Sequence, residues 1–136
     1  MAQAKKRAPM KVASEAIRVR ANGLRMELEQ WPGVTTKRAF GMVMVHRGDV
    51  VFAALPDSRS IHSEDGIMLK FAEEKPALMK RMAAEARFAP GLMGSESKSK
   101  GESRKWRVFL IREDSDVHAV IEWLAEAYQL ARGRKG

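Results

Sequence analysis

The chain has 136 residues, 45% of them hydrophobic and 31% charged, with a formal net charge of +8 and no cysteine. That length suits one domain able to bury roughly two-thirds of its unfolded surface, and the missing cysteines exclude disulfides, thiolate metal sites and cysteine nucleophiles. No apolar run approaches the roughly 20 residues needed to cross a bilayer, and the basic start of the chain lacks the apolar stretch of a secretory signal, so a cytoplasmic protein with no membrane contact is expected.

Residues 1–13 are polar, basic and aperiodic, and read as a disordered tail. A single folded domain is expected over 14–131, followed by a flexible basic end at 132–136. Ser14 is a good N-cap, and Ile17, Ala21, Leu24, Leu28 and Trp31 recur at spacings of four and three, which predicts an amphipathic helix that Pro32-Gly33 ends. The stretch 34–55, VTTKRAFGMVMVHRGDVVFAAL, then reads as three short strands. Valine-rich runs at 40–45 and 50–55 flank the tight reversal Arg47-Gly48-Asp49, and Gly41 marks an earlier bend with a first strand at 35–40 leading into it. Residues 56–66 have loop composition with a short extended piece at Ile61, and 67–71 reads as a fourth strand.

A second helix is expected over 74–87, with Pro76 tolerated in its first turn and Leu78, Met79, Met82 and Ala86 on one side. The Ser-, Lys- and Gly-rich stretch 94–103 reads as a loop, and KWRVFLI at 105–111 as a fifth strand. On that strand Trp106, Val108 and Leu110 share one face, Arg107, Phe109 and Ile111 the other. Asp114, Ser115 or Asp116 caps a third helix whose apolar face holds Val117, Val120, Ile121, Leu124, Ala127, Tyr128 and Ala131. The expected order is α-β-β-β-β-α-β-α, an α+β domain in which about five antiparallel strands are packed by three helices.

The positive charge is unevenly placed. Lys5, Lys6, Arg7 and Lys11 in the first tail and Arg132, Arg134 and Lys135 in the last account for seven of the eight excess charges. Within the domain the excess sits in 94–107, where Lys98, Lys100, Arg104, Lys105 and Arg107 face only Glu96 and Glu102.

Few residues form a recognisable chemical constellation. His46, His62 and His118 lie too far apart in sequence for a zinc signature. Asp114 and Asp116 suit the positive end of a helix better than acid–base work. Gly91-Leu92-Met93-Gly94 before Lys98 has neither the spacing nor the strand-to-helix setting of a phosphate loop. The nine methionines suit core filling, with Met42 and Met44 on one strand face and Met79 and Met82 on one helix face placed to meet. No enzyme and no cofactor is expected.

The segments WPGVTTKRAFGMVMVHRGDVVFAAL, IMLKF, APG followed by KWRVFLI, and VIEWLAEAY, together about residues 31–131, resemble the YjbR-like family, also called MmcQ, and the related N-terminal domain of the competence regulator TfoX. The resemblance implies a compact α+β domain with a central antiparallel sheet and a double-wing DNA-binding shape, and it carries no catalytic residues. The long 58–65 loop and the basic tails depart from the pattern. Nucleic acid is therefore the first expected partner, with Arg38, Lys98, Lys100, Arg104, Lys105, Trp106 and Arg107 as candidate contacts, since aromatics set among basic residues stack bases while their neighbours hold phosphates. A protein-interaction or self-association module, a homodimer included, is the alternative. A methionine-lined pocket near Trp106 for a small molecule is third.

Overall fold

The computed structural model describes residues 10–61, 65–89 and 106–131. In chain order the elements are β1 (Met10–Val12), α1 (Glu15–Leu28), β2 (Val34–Ala39), β3 (Met42–Arg47), β4 (Val50–Pro56), β5 (Arg59–Ile61), β6 (Gly66–Lys70), α2 (Pro76–Ala83), β7 (Trp106–Leu110) and α3 (Asp114–Leu130). Five strands form an antiparallel sheet in the order β2-β3-β4-β6-β7, while β1 pairs with β5 in a separate two-stranded sheet. The fold is α+β, and the expected order of helices and main strands is present.

Ser14 caps α1 as its sequence position suggests, its Oγ accepting from the Ile17 N–H at 3.1 Å, an interaction typically worth about 1 kcal/mol. Ile17, Ala21, Leu24 and Leu28 are the buried stripe of α1. They share one core with Val43, Val45, Phe52, Leu55, Ile67, Leu69, Phe109 and Ile111 of the sheet, with Leu78 and Met82 of α2, and with Val120, Trp123, Leu124, Ala127 and Tyr128 of α3. All three helices thus contribute to a single core. Tyr128 fastens the turn after α1 to α3: its ring meets Trp31 edge-on at 5.1 Å, and its hydroxyl donates to the Pro32 carbonyl at 2.7 Å.

The two-residue turns at 40–41 and 48–49 set the register of β2, β3 and β4. With Val43 and Val45 turned toward the helices, strand alternation sends Met42 and Met44 to the other side. The methionine pairs therefore do not meet: Met79 and Met82 join the helical core, while Met42 and Met44 join Ala54, Met68, Ala89, Val108, Trp106 and Leu110 in a second apolar cluster. A register shift at Val45/His46 leaves Phe52 as the extra residue of β4, fully buried and 5.7 Å from the Tyr128 ring.

Several boundaries differ from expectation. Helix α1 ends at Leu28, with Glu29 as its C-cap, ahead of Trp31 and Pro32. The ordered body starts before Ser14, because Met10, Lys11 and Val12 pair with Ile61, Ser60 and Arg59; three residues carry no periodicity, and the ladder that holds them comes from a strand about fifty residues away. Helix α2 stops at Ala83, short of Arg87. The chain then runs beside β7, where Ala89 N–H donates to the Val108 carbonyl and Leu110 N–H to the Arg87 carbonyl, both at 2.8 Å, so these two outer backbone groups of β7 are satisfied. The N-cap of α3 is Glu113, one residue ahead of the three expected candidates. Asp116 instead reaches back, its carboxylate accepting from the N–H groups of Arg112 at 2.8 Å and Glu113 at 3.1 Å.

Candidate nucleic-acid interface

The β2–β3 turn is the most unusual local structure among the described residues. Ala39 pairs with Met42, so only Phe40 and Gly41 make the reversal, at φ 57° and 77°. Positive φ at both central residues is the type I′ requirement, which Asn-Gly or Gly-Gly ordinarily meets. A side chain with a Cβ costs about 1–2 kcal/mol in the left-handed region, and Phe40 has little burial to offset it, being 81% exposed.

Around this tip the chain is held firmly. The Gly41 carbonyl accepts from the N–H groups of Asp57, Ser58 and Arg59 at 3.2, 3.0 and 2.9 Å, so the turn after β4 clasps the hairpin end. A Cβ on Gly41 would lie 2.5 Å from Arg59 Cγ, which leaves room for glycine alone. Lys37 and Arg38 precede the tip on β2 and point to opposite faces. Both are exposed, on a strand at the edge of the sheet. Arg38, with its side chain 70% exposed, has its Nε 3.4 Å from the Asp57 carboxylate. Arg59, also exposed, lies against Gly41.

Trp106 and Arg107 lie on β7, at the opposite edge of the sheet from Arg38, four inter-strand steps or about 19 Å away. Trp106 packs half-buried against the methionine cluster, with Lys70 Nζ 5.7 Å from its ring centre. Arg107 turns to the helical side, donating to Glu74 at 3.3 Å and to the Trp106 carbonyl at 3.0 Å. The fold therefore does not gather Arg38, Trp106 and Arg107 into one surface. Lys98, Lys100, Arg104 and Lys105 lie outside the described residues, as do residues 1–9 and 132–136.

Of the histidines, His118 is exposed on α3 and His62 is outside the described residues. His46 is half-buried opposite Thr35, and burial, followed by the nearby Lys37 ammonium, holds its pKa below the ordinary 6.5 despite the opposing pull of Asp49. Among the described residues no three of His, Asp and Glu converge to hold a metal. Asp114 is occupied by Arg20, 3.2 Å away. A broad open depression of about 1130 Å³ lies between the β3–β4 turn and the end of α3, lined by Arg47, Asp49, Glu73 and Lys75 among others, with no methionine among its described residues.

Two residues of the hairpin tip escaped the sequence reading. The sequence places Phe40 at the end of the 35–40 strand and the start of the apolar 40–45 run, although an aromatic directly before a turn glycine, where Asn is usual, is a visible signal. Arg59 opens β5 within a stretch of loop composition, and nothing local in the sequence indicates that it folds back on Gly41. Comparison with family models, with curated proteins and with solved structures gives no match to this chain.

Proposed function

We propose that this chain is a non-enzymatic nucleic-acid-binding domain of the YjbR-like and TfoX N-terminal type. The observation that supports the reading best is the clasped hairpin tip, where an exposed aromatic side chain follows the exposed Lys37 and Arg38 on β2 and Arg59 packs against the turn glycine. Phosphates held there, and by the basic residues of the tails and of 94–107, would release condensed counterions, an interaction that carries affinity without reading sequence. Binding is accordingly weak and steeply dependent on salt. Arg38 would exchange its partner Asp57 for a phosphate, a small loss because an exposed ion pair is worth about 0–1 kcal/mol.

The test is a titration of the full-length protein with duplex and single-stranded oligonucleotides between about 50 mM and about 200 mM salt. Replacing Lys5, Lys6, Arg7, Arg132, Arg134 and Lys135 by Gln is expected to flatten the logarithmic salt slope most. Lys37→Ala with Arg38→Ala should lower that slope by about 0.7–0.9 for each phosphate the protein no longer neutralises. A wild-type protein that binds neither oligonucleotide at the lower salt would refute the reading. The alternative, a protein-interaction module, draws on Val19 and Met26, which stand 66% and 57% exposed on the outer face of α1. It predicts a solution mass above one chain, or capture of a defined protein, that changes when both are made Ser.

A further inference from the structure

We infer that Phe40 is a base-stacking residue, and that the nucleic acid taken by the hairpin tip is single-stranded or carries an unpaired base. The inference rests on the nucleic-acid reading above and assigns that site its class of ligand. It starts from the conflict at position 40. The turn demands a positive φ, the residue there is one that pays for it, and its ring is left in water. Neither local conformation nor packing explains a phenylalanine at this place, since Asn or Gly would make the same turn with less strain.

The surroundings specify what the ring can meet. The three N–H groups on the Gly41 carbonyl and the close approach of Arg59 fix the backbone under Phe40, so little conformational freedom remains to be lost when the ring is covered. Arg38 and Lys37 stand two and three residues back along the same edge strand, and Arg59 lies across the turn. An apolar partner protein would have to desolvate these cations while bringing no charge of opposite sign, Arg38 already having Asp57 at 3.4 Å, whereas a nucleotide presents a flat π-face and an anionic phosphate a few ångströms apart. Charge complementarity thus favours nucleic acid over a second copy of this basic chain.

Strand number follows from a comparison of magnitudes. A base inside a duplex has both faces covered, and exposing one means unstacking a step at a cost of the same order as a single aromatic contact returns. One ring on one turn therefore gains little from a duplex. An unpaired base offers its face without that cost, and the contact is tolerant of sequence because every base has one.

The experiment compares full-length wild type, Phe40→Asn and Phe40→Trp by fluorescence anisotropy, using labelled oligothymidylate and a labelled duplex of the same length across the same salt series. Asn suits positive φ, so Phe40→Asn keeps the turn, and circular dichroism of each variant confirms the fold. Phe40→Asn is expected to lose about tenfold or more in affinity for the single strand at an unchanged salt slope, with duplex binding unaltered and Phe40→Trp retaining wild-type affinity. If Phe40→Asn binds the single strand as the wild type does while Lys37→Ala with Arg38→Ala still lowers the slope, stacking is overturned and nucleic-acid binding stands. If the wild type prefers the duplex and Phe40→Asn weakens that instead, the single-strand assignment is overturned. A wild type that binds neither probe defeats the underlying reading first, and a fall in solution mass on Phe40→Asn shows the ring to be a self-association contact.

Discussion

Replacing Phe40 by Asn should make the protein more stable, an uncommon direction for substituting a large apolar residue. The ring is 81% exposed, so about a fifth of its transfer free energy is lost on substitution, roughly 0.3–0.6 kcal/mol from the 1.5–3 kcal/mol of a fully buried side chain. Against this stands the about 1–2 kcal/mol cost of holding a Cβ-bearing residue at φ 57°, much of which Asn avoids because its short polar side chain hydrogen-bonds locally. The net expectation is a gain of about 0.5–1 kcal/mol, or about 2–5 °C in Tm for a chain of this size. Denaturant unfolding followed by circular dichroism measures it, provided the slope with denaturant is the same for all variants. Phe40→Ala is the control, since it removes the ring but keeps the Cβ in the left-handed region, and should show no gain. Gly41→Ala is the converse: its Cβ at φ 77° would meet Arg59 Cγ at 2.5 Å and Cβ at 2.9 Å, so a loss above about 1 kcal/mol is expected. A midpoint that falls with Phe40→Asn, or that rises as much with Phe40→Ala, would show that the turn carries no strain worth relieving.

Two further outcomes probe the body of the fold. Leu124 is fully buried at the centre of α3, so Leu124→Ala should cost about 2–5 kcal/mol by the same unfolding assay, and a loss below about 0.5 kcal/mol would show that α3 does not close the core. His46 has a folded pKa below its unfolded value, so on acidification the unfolded chain takes up a proton before the folded one does. Its contribution is therefore fully present above about pH 6.5 and is lost as pH falls from there through the depressed folded value. Unfolding at about pH 7.5 and about pH 5.5 should show a smaller decline for His46→Gln than for wild type, and equal declines would exclude His46 as a source of the pH dependence.

What was legible in the sequence was whatever a local period or a breaker encodes. Ile17, Ala21, Leu24 and Leu28 state the buried face of α1 at helical spacing, and Gly41 and Gly48 state the two reversals that order three strands, while Pro32-Gly33 places the end of α1 a turn too late, since the helix stops at Leu28. Partners distant in sequence were illegible. β1 depends on β5, the segment after Ala83 leaves the helix and bonds β7 at Arg87 and Ala89, and Trp123 is buried through Phe88, 5.0 Å away, although its three-residue spacing from Val120 was in plain view. The candidate site divides the same way. Arg38 was readable as a candidate contact on the first strand of the sheet, whereas the clasp on the Gly41 carbonyl joins two turns that no spacing rule connects.

The charges on β2 have an explanation that needs no ligand. An outermost strand invites pairing with a strand of another molecule, and Lys and Arg on it oppose that. Lys37 and Arg38 satisfy this role completely, so their presence cannot by itself separate a binding surface from a protected edge. Phe40 can. A protective edge ends in polar or strongly bent residues, and an exposed aromatic at its tip adds the very apolar surface that protection removes. The turn would also be easier to form without it. The two explanations then make opposite statements about substitution: under edge protection alone, Phe40→Asn improves stability and solubility and nothing is lost, whereas under the binding reading it improves stability and loses affinity for the single strand in the same protein. A stability gain with no loss of binding would leave β2 as a guarded edge and its phenylalanine without a role.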